Sequence, residues 1–172
     1  FIDEASVKCS LACATTALYL GMDSATLAQR METLEPVAMR LEVKEGRHGC
    51  TLINDSYNSD VNSLDIALDF MNRRPDHKGR KRTLILSDIY QSGDKPEVLY
   101  GKVSELAIKR GVEKFIGIGP SIKQQADHIS IAEKFFFTGV EQFVRSEVFQ
   151  SLHDEVILLK GARSFGFDHL TE

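Results

Sequence analysis

Residues 83–118 read TLILSDIYQSGDKPEVLYGKVSELAIKRGVEKFIGI. The run Thr83–Leu86 is apolar almost throughout, as a strand buried on both faces must be. From about Pro96 to Arg110, Leu99, Val103, Leu106 and Ala107 recur at helical spacing, and Lys114–Ile118 is a second apolar strand. Strand, amphipathic helix and strand together make a parallel crossover unit, because the helix can bury its stripe only by lying back on the sheet.

The same alternation continues outward in both directions. Upstream, Leu41–Val43 and Cys50–Ile53 predict two strands joined through Glu45-Gly46-Arg47-His48-Gly49, a loop suited to a hairpin with a bulge or extra residues. A helix carrying Leu64, Ala67, Leu68 and Met71 follows, with Asn62 or Ser63 as its candidate cap. Downstream come a short helix near Ser121–Asp127, a strand Lys134–Phe137, a helix around Val140–Gln150 and a strand Val156–Leu159. The fold class is α/β: a Rossmann-like, mainly parallel sheet with helices on both faces.

The first residues differ in character. Val7, Leu11, Ala14, Thr15 and Leu18 form a helical stripe that Gly21 stops, and Asp23 or Ser24 can cap a second helix with Leu27, Arg30, Met31 and Leu34. Pro36 ends the helical run. The sequence therefore divides at Glu35-Pro36 into a two-helix segment, 1–35, and the α/β domain, 36–172.

A chain of 172 residues with 42% apolar content can bury one substantial core. A net charge of -4 from interspersed acidic and basic residues gives no electrostatic support for nucleic-acid binding. The one basic cluster, Arg73, Arg74, His77, Lys78, Arg80, Lys81 and Arg82, lies between a helix and a strand, where a solvated loop is the expected reading. No apolar stretch approaches the roughly 20 residues of a membrane-spanning helix, and no secretory leader pattern opens the chain. Three cysteines, Cys9, Cys13 and Cys50, read as reduced thiols, and the five scattered histidines show no metal-ligand spacing. A cytoplasmic protein without a metal site of its own is the expectation.

Ligands of open α/β sheets gather beyond the carboxyl ends of the strands, so the loops after Ile53, Leu86, Ile118 and Leu159 carry the chemical information. The first runs Asn54-Asp55-Ser56-Tyr57-Asn58-Ser59-Asp60-Val61-Asn62-Ser63. Its carboxylate can accept from vicinal ribose hydroxyls and its phenol can pack on a base or sugar, although an Asx turn and helix cap would use the same residues for purely local reasons. The second runs Ser87-Asp88-Ile89-Tyr90-Gln91-Ser92-Gly93-Asp94. The last, Lys160-Gly161-Ala162-Arg163-Ser164, could receive a carboxylate or phosphate or be a solvated turn. Gly117-Ile118-Gly119-Pro120 lacks the third glycine of a dinucleotide fingerprint and reads as a turn.

Arg40, Asp55-Ser56-Tyr57-Asn58 with Val61 and Ser63, Ser87-Asp88-Ile89 with Gly93, and Lys160-Gly161-Ala162-Arg163 stand in an order and spacing that resembles the C-terminal part of the Mur ligases, the ATP-dependent amide ligases of cell-wall precursor synthesis. The resemblance covers the entire chain, with residues 1 to about 33 similar to the last helices of that family's central ATPase domain. It is nearest to the branch that adds D-alanyl-D-alanine to UDP-N-acetylmuramoyl-tripeptide, and within it to forms fused to an alanine racemase. Ser87 stands where that branch has glycine, Ile89 where it has methionine, Gln91 where it has an acidic residue, Tyr100 where a histidine is common, and Cys9 where an adenine-contacting asparagine is usual.

The resemblance implies that Asp55 holds the ATP ribose, with Arg40, Tyr57 and Asn58 lining the nucleotide. Ser87, Asp88, Lys160 and Arg163 would lie toward the incoming dipeptide. It implies no catalytic residue within this segment. No G-x-x-x-x-G-K-[ST] sequence occurs, so the phosphate loop and the residues holding Mg2+ would belong to a central domain outside it, and the isolated chain is expected to be inactive. Its partners would be its own N-terminal and central domains and the two substrates. Two alternatives remain: the same domain from another Mur or folylpolyglutamate-type ligase, and a non-catalytic α/β binding module.

Overall fold

The computed structural model describes residues 4–34, 39–75, 79–90 and 92–170. The chain forms two compact units, Phe1–Val37 and Ala38–Glu172. The boundary expected at Glu35-Pro36 lies outside the described residues, as do Gln91 and the His77 and Lys78 of the basic cluster.

The first unit holds α1 (Glu4–Tyr19) and α2 (Ser24–Glu32). Gly21 turns the chain between them at φ 93°, a conformation that glycine adopts without strain. Of the two candidate caps it is Asp23 that serves, its side chain accepting from the Thr26 amide at 2.9 Å. The expected stripe is present but open: Leu11, Leu18, Tyr19 and Leu20 are exposed, and no residue of α2 is buried.

The second unit is built on six strands, β1 (Glu42–Glu45), β2 (Thr51–Asp55), β3 (Lys81–Ser87), β4 (Lys114–Ile118), β5 (Glu133–Phe137) and β6 (Glu155–Lys160), ordered β1-β2-β6-β3-β4-β5. Only β1 runs antiparallel, paired to β2 through a hairpin in which Glu45 faces Thr51. The helices are α3 (Val61–Arg73), α4 (Pro96–Lys109), α5 (Pro120–Gln124), α6 (Val140–Val144) and α7 (Glu147–Gln150). The single helix expected over Val140–Gln150 is thus two short ones, broken where Ser146 caps α7 by accepting from the Phe149 amide.

Strand alternation sends the apolar side chains to two cores. Leu84, Leu86, Val156 and Leu158 pack on one face with Leu64, Leu68 and Met71 of α3 and Leu99, Tyr100 and Val103 of α4. Ile85, Ile116, Ile118, Ile157 and Leu159 pack on the other with Phe143 and Phe167. Each fully buried aliphatic side chain contributes about 1.5–3 kcal/mol, so a sheet covered on both faces is strongly favoured over an open one.

The chain moves outward from β3 through β4 to β5, then returns by α6 and α7 to insert β6 between β2 and β3. The carboxyl ends of β2, β6 and β3 therefore lie side by side where the strand order reverses, the position at which such sheets open a crevice. The helix after β2 begins earlier than expected. Asp60, not Asn62 or Ser63, caps α3, accepting from the Ser63 amide at 2.9 Å while Ser63 Oγ accepts from the Asp60 amide at 3.2 Å. The reciprocal box satisfies two donors at once, which neither later residue could do alone.

Candidate functional site at the carboxyl ends of the central strands

Asp55 is the last residue of β2, Lys160 the last of β6, and the parallel register sets them opposite each other. Lys160 Nζ lies 2.9 Å from Asp55 Oδ2. It also donates to the Asp55 carbonyl at 3.4 Å and, by a shorter bond, to the Asn58 carbonyl. Two backbone carbonyls thus accept from this ammonium, and the Asp55 carboxylate beside it balances its charge. With the side chain only 2% exposed, Lys160 is turned to these partners rather than to solvent.

The Asp55 carboxylate is different. Its side chain is 15% exposed, and Oδ1 has no hydrogen-bond partner among the described residues. Beyond it, Asn58 Oδ1 accepts from the Ser59 amide at 2.9 Å, an Asx turn that aims the chain into α3. Tyr57 is 45% exposed, and the Arg40 guanidinium sits 4.7 Å from its ring centroid, a cation–π contact holding both at the rim. The Arg163 amide donates to the Tyr57 carbonyl at 3.2 Å, joining the loop after β6 to the loop after β2. The Arg163 side chain is exposed and makes no hydrogen bond or ion pair among the described residues.

Ser87 and Asp88 are committed inward. Ser87 Oγ accepts from the Ala162 amide at 3.0 Å and donates to the Asp88 carbonyl at 3.0 Å. The buried Asp88 carboxylate accepts from the Ser121 and Ile122 amides at 3.1 and 2.7 Å, supplying the acceptor that the start of α5 lacks. Gly119, at φ 142°, makes this approach possible, since a Cβ there would fall 2.4 Å from the Asp88 carboxyl group. The Tyr100 hydroxyl completes the cluster 3.4 Å from Asp88. Burial, and then the Asp88 charge, push the Tyr100 phenol up to about 12, so it stays protonated and able to donate.

Of the eight residues singled out by resemblance, Arg40, Tyr57, Asn58, Arg163 and one oxygen of Asp55 face outward. Ser87, Asp88 and Lys160, expected to lie toward the incoming dipeptide, have their polar groups turned into the packing. Each is buried with those groups engaged by backbone or by Asp55, and leaving such partners unpaired would be costly. Sequence reasoning also passed over a rim feature. The Tyr90 ring stacks on Phe165 with centroids 5.7 Å apart, and Tyr90 is 65% exposed. An aromatic residue in each of two strand-end loops, Tyr90 and Phe165, was the available signal.

Two further groups border the loop. Asp60 is held below the usual carboxylate value: burial opposes this, but hydrogen bonds from Ser63 and then the Lys160 charge outweigh it. Ser59 Oγ is buried and, alone among the buried side-chain polar atoms of the described residues, lacks a hydrogen-bond partner. Among the described residues no three histidine, cysteine or acidic side chains converge as a metal site would require, and no helix is long and apolar enough to cross a membrane.

No family model and no curated protein matches this sequence. Solved structures do. The chain aligns over 99% of its length, at 18% identity and a TM-score of 0.77, with 36% of UDP-N-acetylmuramoylalanyl-D-glutamyl-2,6-diaminopimelate--D-alanyl-D-alanyl ligase from Acinetobacter baumannii. MurF ligase from Thermotoga maritima, solved in complex with ADP, matches 92% of the chain with 34% of its own length, at 16% identity and a TM-score of 0.66. The bifunctional folylpolyglutamate synthase/dihydrofolate synthase of Yersinia pestis, solved with AMPPNP and Mn, matches 87% with 35% of its length, at 16% identity and a TM-score of 0.58. The chain thus has the fold of the C-terminal, Rossmann-like domain of Mur ligases and spans little more than a third of those enzymes.

Proposed function

We propose that this chain is the closing domain of an ATP-dependent amide ligase that adds D-alanyl-D-alanine to UDP-N-acetylmuramoyl-tripeptide in the cytoplasm. Residues 1–35 would be the last helices of its central domain. The observation that carries this reading is the Asp55 carboxylate at the carboxyl end of β2, pinned by Lys160 through one oxygen and open through the other, beside the Tyr57 ring and Arg40. That is a fitting receptor for a nucleoside. The open oxygen accepts from ribose hydroxyls, the phenol offers a stacking face, and the guanidinium supplies positive charge toward phosphates.

In such a ligase ATP activates a carboxylate as an acyl phosphate, which the acceptor amine then attacks. The part left to this chain is geometric: to grip the nucleoside edge, bring Arg163 toward the acceptor, and exclude water while the amide forms. With Ser87, Asp88 and Lys160 turned inward, Arg163 is the cation free to meet the acceptor's carboxylate. The magnesium that the reading implies finds no ligand cluster among the described residues, so it would be held by the central domain with the phosphate loop. The folylpolyglutamate synthase likeness favours a second acceptor class on the same fold, a glutamate-type amino acid. Competition between that amino acid and D-alanyl-D-alanine separates the two.

The direct test is steady-state kinetics of the complete ligase carrying this segment. Replacing Asp55 by Asn removes the charge but keeps an acceptor for Lys160. It should lower kcat/KM for ATP by about 1–2 kcal/mol, the difference between a charged and a neutral hydrogen bond. An unchanged value would remove Asp55 from the nucleotide site.

A further inference from the structure

We propose that Lys160 is a positioning residue for the nucleotide rather than a ligand of the acceptor: it sets Asp55 and the Asp55–Asn58 turn in the one arrangement that leaves Asp55 Oδ1 open. This deepens the ligase reading and rests on it for the identity of the ligand. Lys160 Nζ faces Asp55 Oδ2 at 2.9 Å and donates to the carbonyls of Asp55 and Asn58, and the side chain is buried. Two carbonyls accept from the ammonium and the Asp55 carboxylate flanks it as an ion-pair partner, so with the side chain 2% exposed an acceptor carboxylate could reach it only by displacing one of them.

The geometry has a consequence for Asp55. A carboxylate ending a strand is free to turn about its side-chain torsions, and an ion pair through one oxygen removes that freedom and fixes where the other points. The bond to the Asn58 carbonyl acts three residues further on, holding the turn that carries Tyr57. The Arg163 amide reinforces it from the same loop by donating to the Tyr57 carbonyl. The loop after β6 therefore shapes the nucleotide pocket from behind, while the Arg163 side chain of that loop looks outward.

Kinetics of the complete ligase and hydrogen exchange of the 172-residue chain test this together. Lys160→Met should raise the KM for ATP by about tenfold while leaving the KM for the acceptor within about twofold. Its effect on ATP should be strongly non-additive with Asp55→Asn, since both act through one carboxylate. A rise in acceptor KM, or ATP effects that multiply, would overturn the proposal. In the chain alone, Lys160→Met should speed amide exchange across residues 56–60, and unchanged exchange there would equally overturn it. Should the single variant not fold, Asp55→Asn with and without Lys160→Met gives the same comparison, because removing both charges orphans neither. If the wild-type ligase forms no amide from ATP, the functional reading falls, and the exchange measurement still decides the positioning role.

Discussion

The two ends of the parallel sheet are both lined with charge, but the buried charges at one end pair with one another while the carboxylate at the other keeps an oxygen without a hydrogen-bond partner among the described residues. At the amino ends of β3, β4 and β6, buried Lys114 and Glu155 pair with each other, the Thr83 hydroxyl also donates to Glu155, and Glu133 receives both Lys114 at 3.3 Å and Lys81 at 2.8 Å. Arg80 clasps the same edge through Thr51 Oγ1 and the carbonyls of Gly49, Asp154 and Glu155. These charges close on one another. At the carboxyl ends, Lys160 and Asp55 also pair, but Asp55 keeps an open oxygen and the loops around it hold Arg40, Tyr57, Tyr90 and Arg163 at the surface. A buried ion pair is therefore a poor marker of a site, and hydrogen-bonding capacity left over after folding is a better one.

Opening the closed edge should have the largest effect. Lys114→Met would leave the buried Glu155 carboxylate with the Thr83 hydroxyl as its remaining side-chain partner, and orphaning a buried charge costs about 3–5 kcal/mol. Urea unfolding should show that loss while the KM for ATP of the complete ligase stays unchanged. A change in KM without a loss of stability would mean that the amino edge is the functional one.

Acid should strain both edges for the same reason. Glu133 is held below its ordinary value of 4.5: burial opposes this, but hydrogen bonds from Lys81 and Lys114 prevail. Asp60 lies below its ordinary 3.8 for the reasons given above. A carboxylate depressed in the folded state binds fewer protons there than in the unfolded chain. Its contribution is complete above the ordinary value and disappears as pH falls through the lower folded one. Stability should thus be level from neutral pH down to those ordinary values and decline below them. Lys114→Met should remove part of the slope due to Glu133, and Lys160→Met part of that due to Asp60. Denaturant midpoints measured across that range check the sign, and stability that rose on acidification would contradict it.

How far the sequence disclosed these edges follows from the reach of its signals. Apolar runs and helical spacing are local, so β3, α4 and β4 are where they were expected, and the carboxyl ends of the strands could be named as the place to look. The start of α3 was set late because Asn62 and Ser63 are both good caps in isolation, whereas the reciprocal bonding of Asp60 with Ser63 is what selects the frame. The sequence offers Lys160 with Arg163 as a receiver of a carboxylate or phosphate and does not show its pairing with Asp55, because nothing local links it to that residue 105 positions earlier. Only the strand order, with β6 inserted beside β2, brings them together. The partners of Asp88 are equally distant in sequence: the amides it caps belong to α5, and the turn at Gly119 is needed because that carboxylate occupies the space of a Cβ.

The finest contrast between the edges is Ser59. At the amino edge even the Thr83 hydroxyl is hydrogen-bonded, while at the carboxyl edge Ser59 Oγ is buried with no partner among the described residues. A hydroxyl stripped of water without compensation costs about 1–3 kcal/mol, and removing it along with its unmet need recovers some of that. Ser59→Ala should therefore raise the stability of the chain by roughly 0.5–1 kcal/mol in urea unfolding, the small volume lost offsetting part of the gain. Because Ser59 stands directly before the α3 cap and after Asn58, that gain should come with unchanged exchange protection across residues 56–60. A destabilised variant would mean that an ordered water completes the hydroxyl. The carboxyl edge would then be as fully satisfied at Ser59 as the amino edge is at Thr83, leaving Asp55 Oδ1 and the exposed rim as its whole surplus.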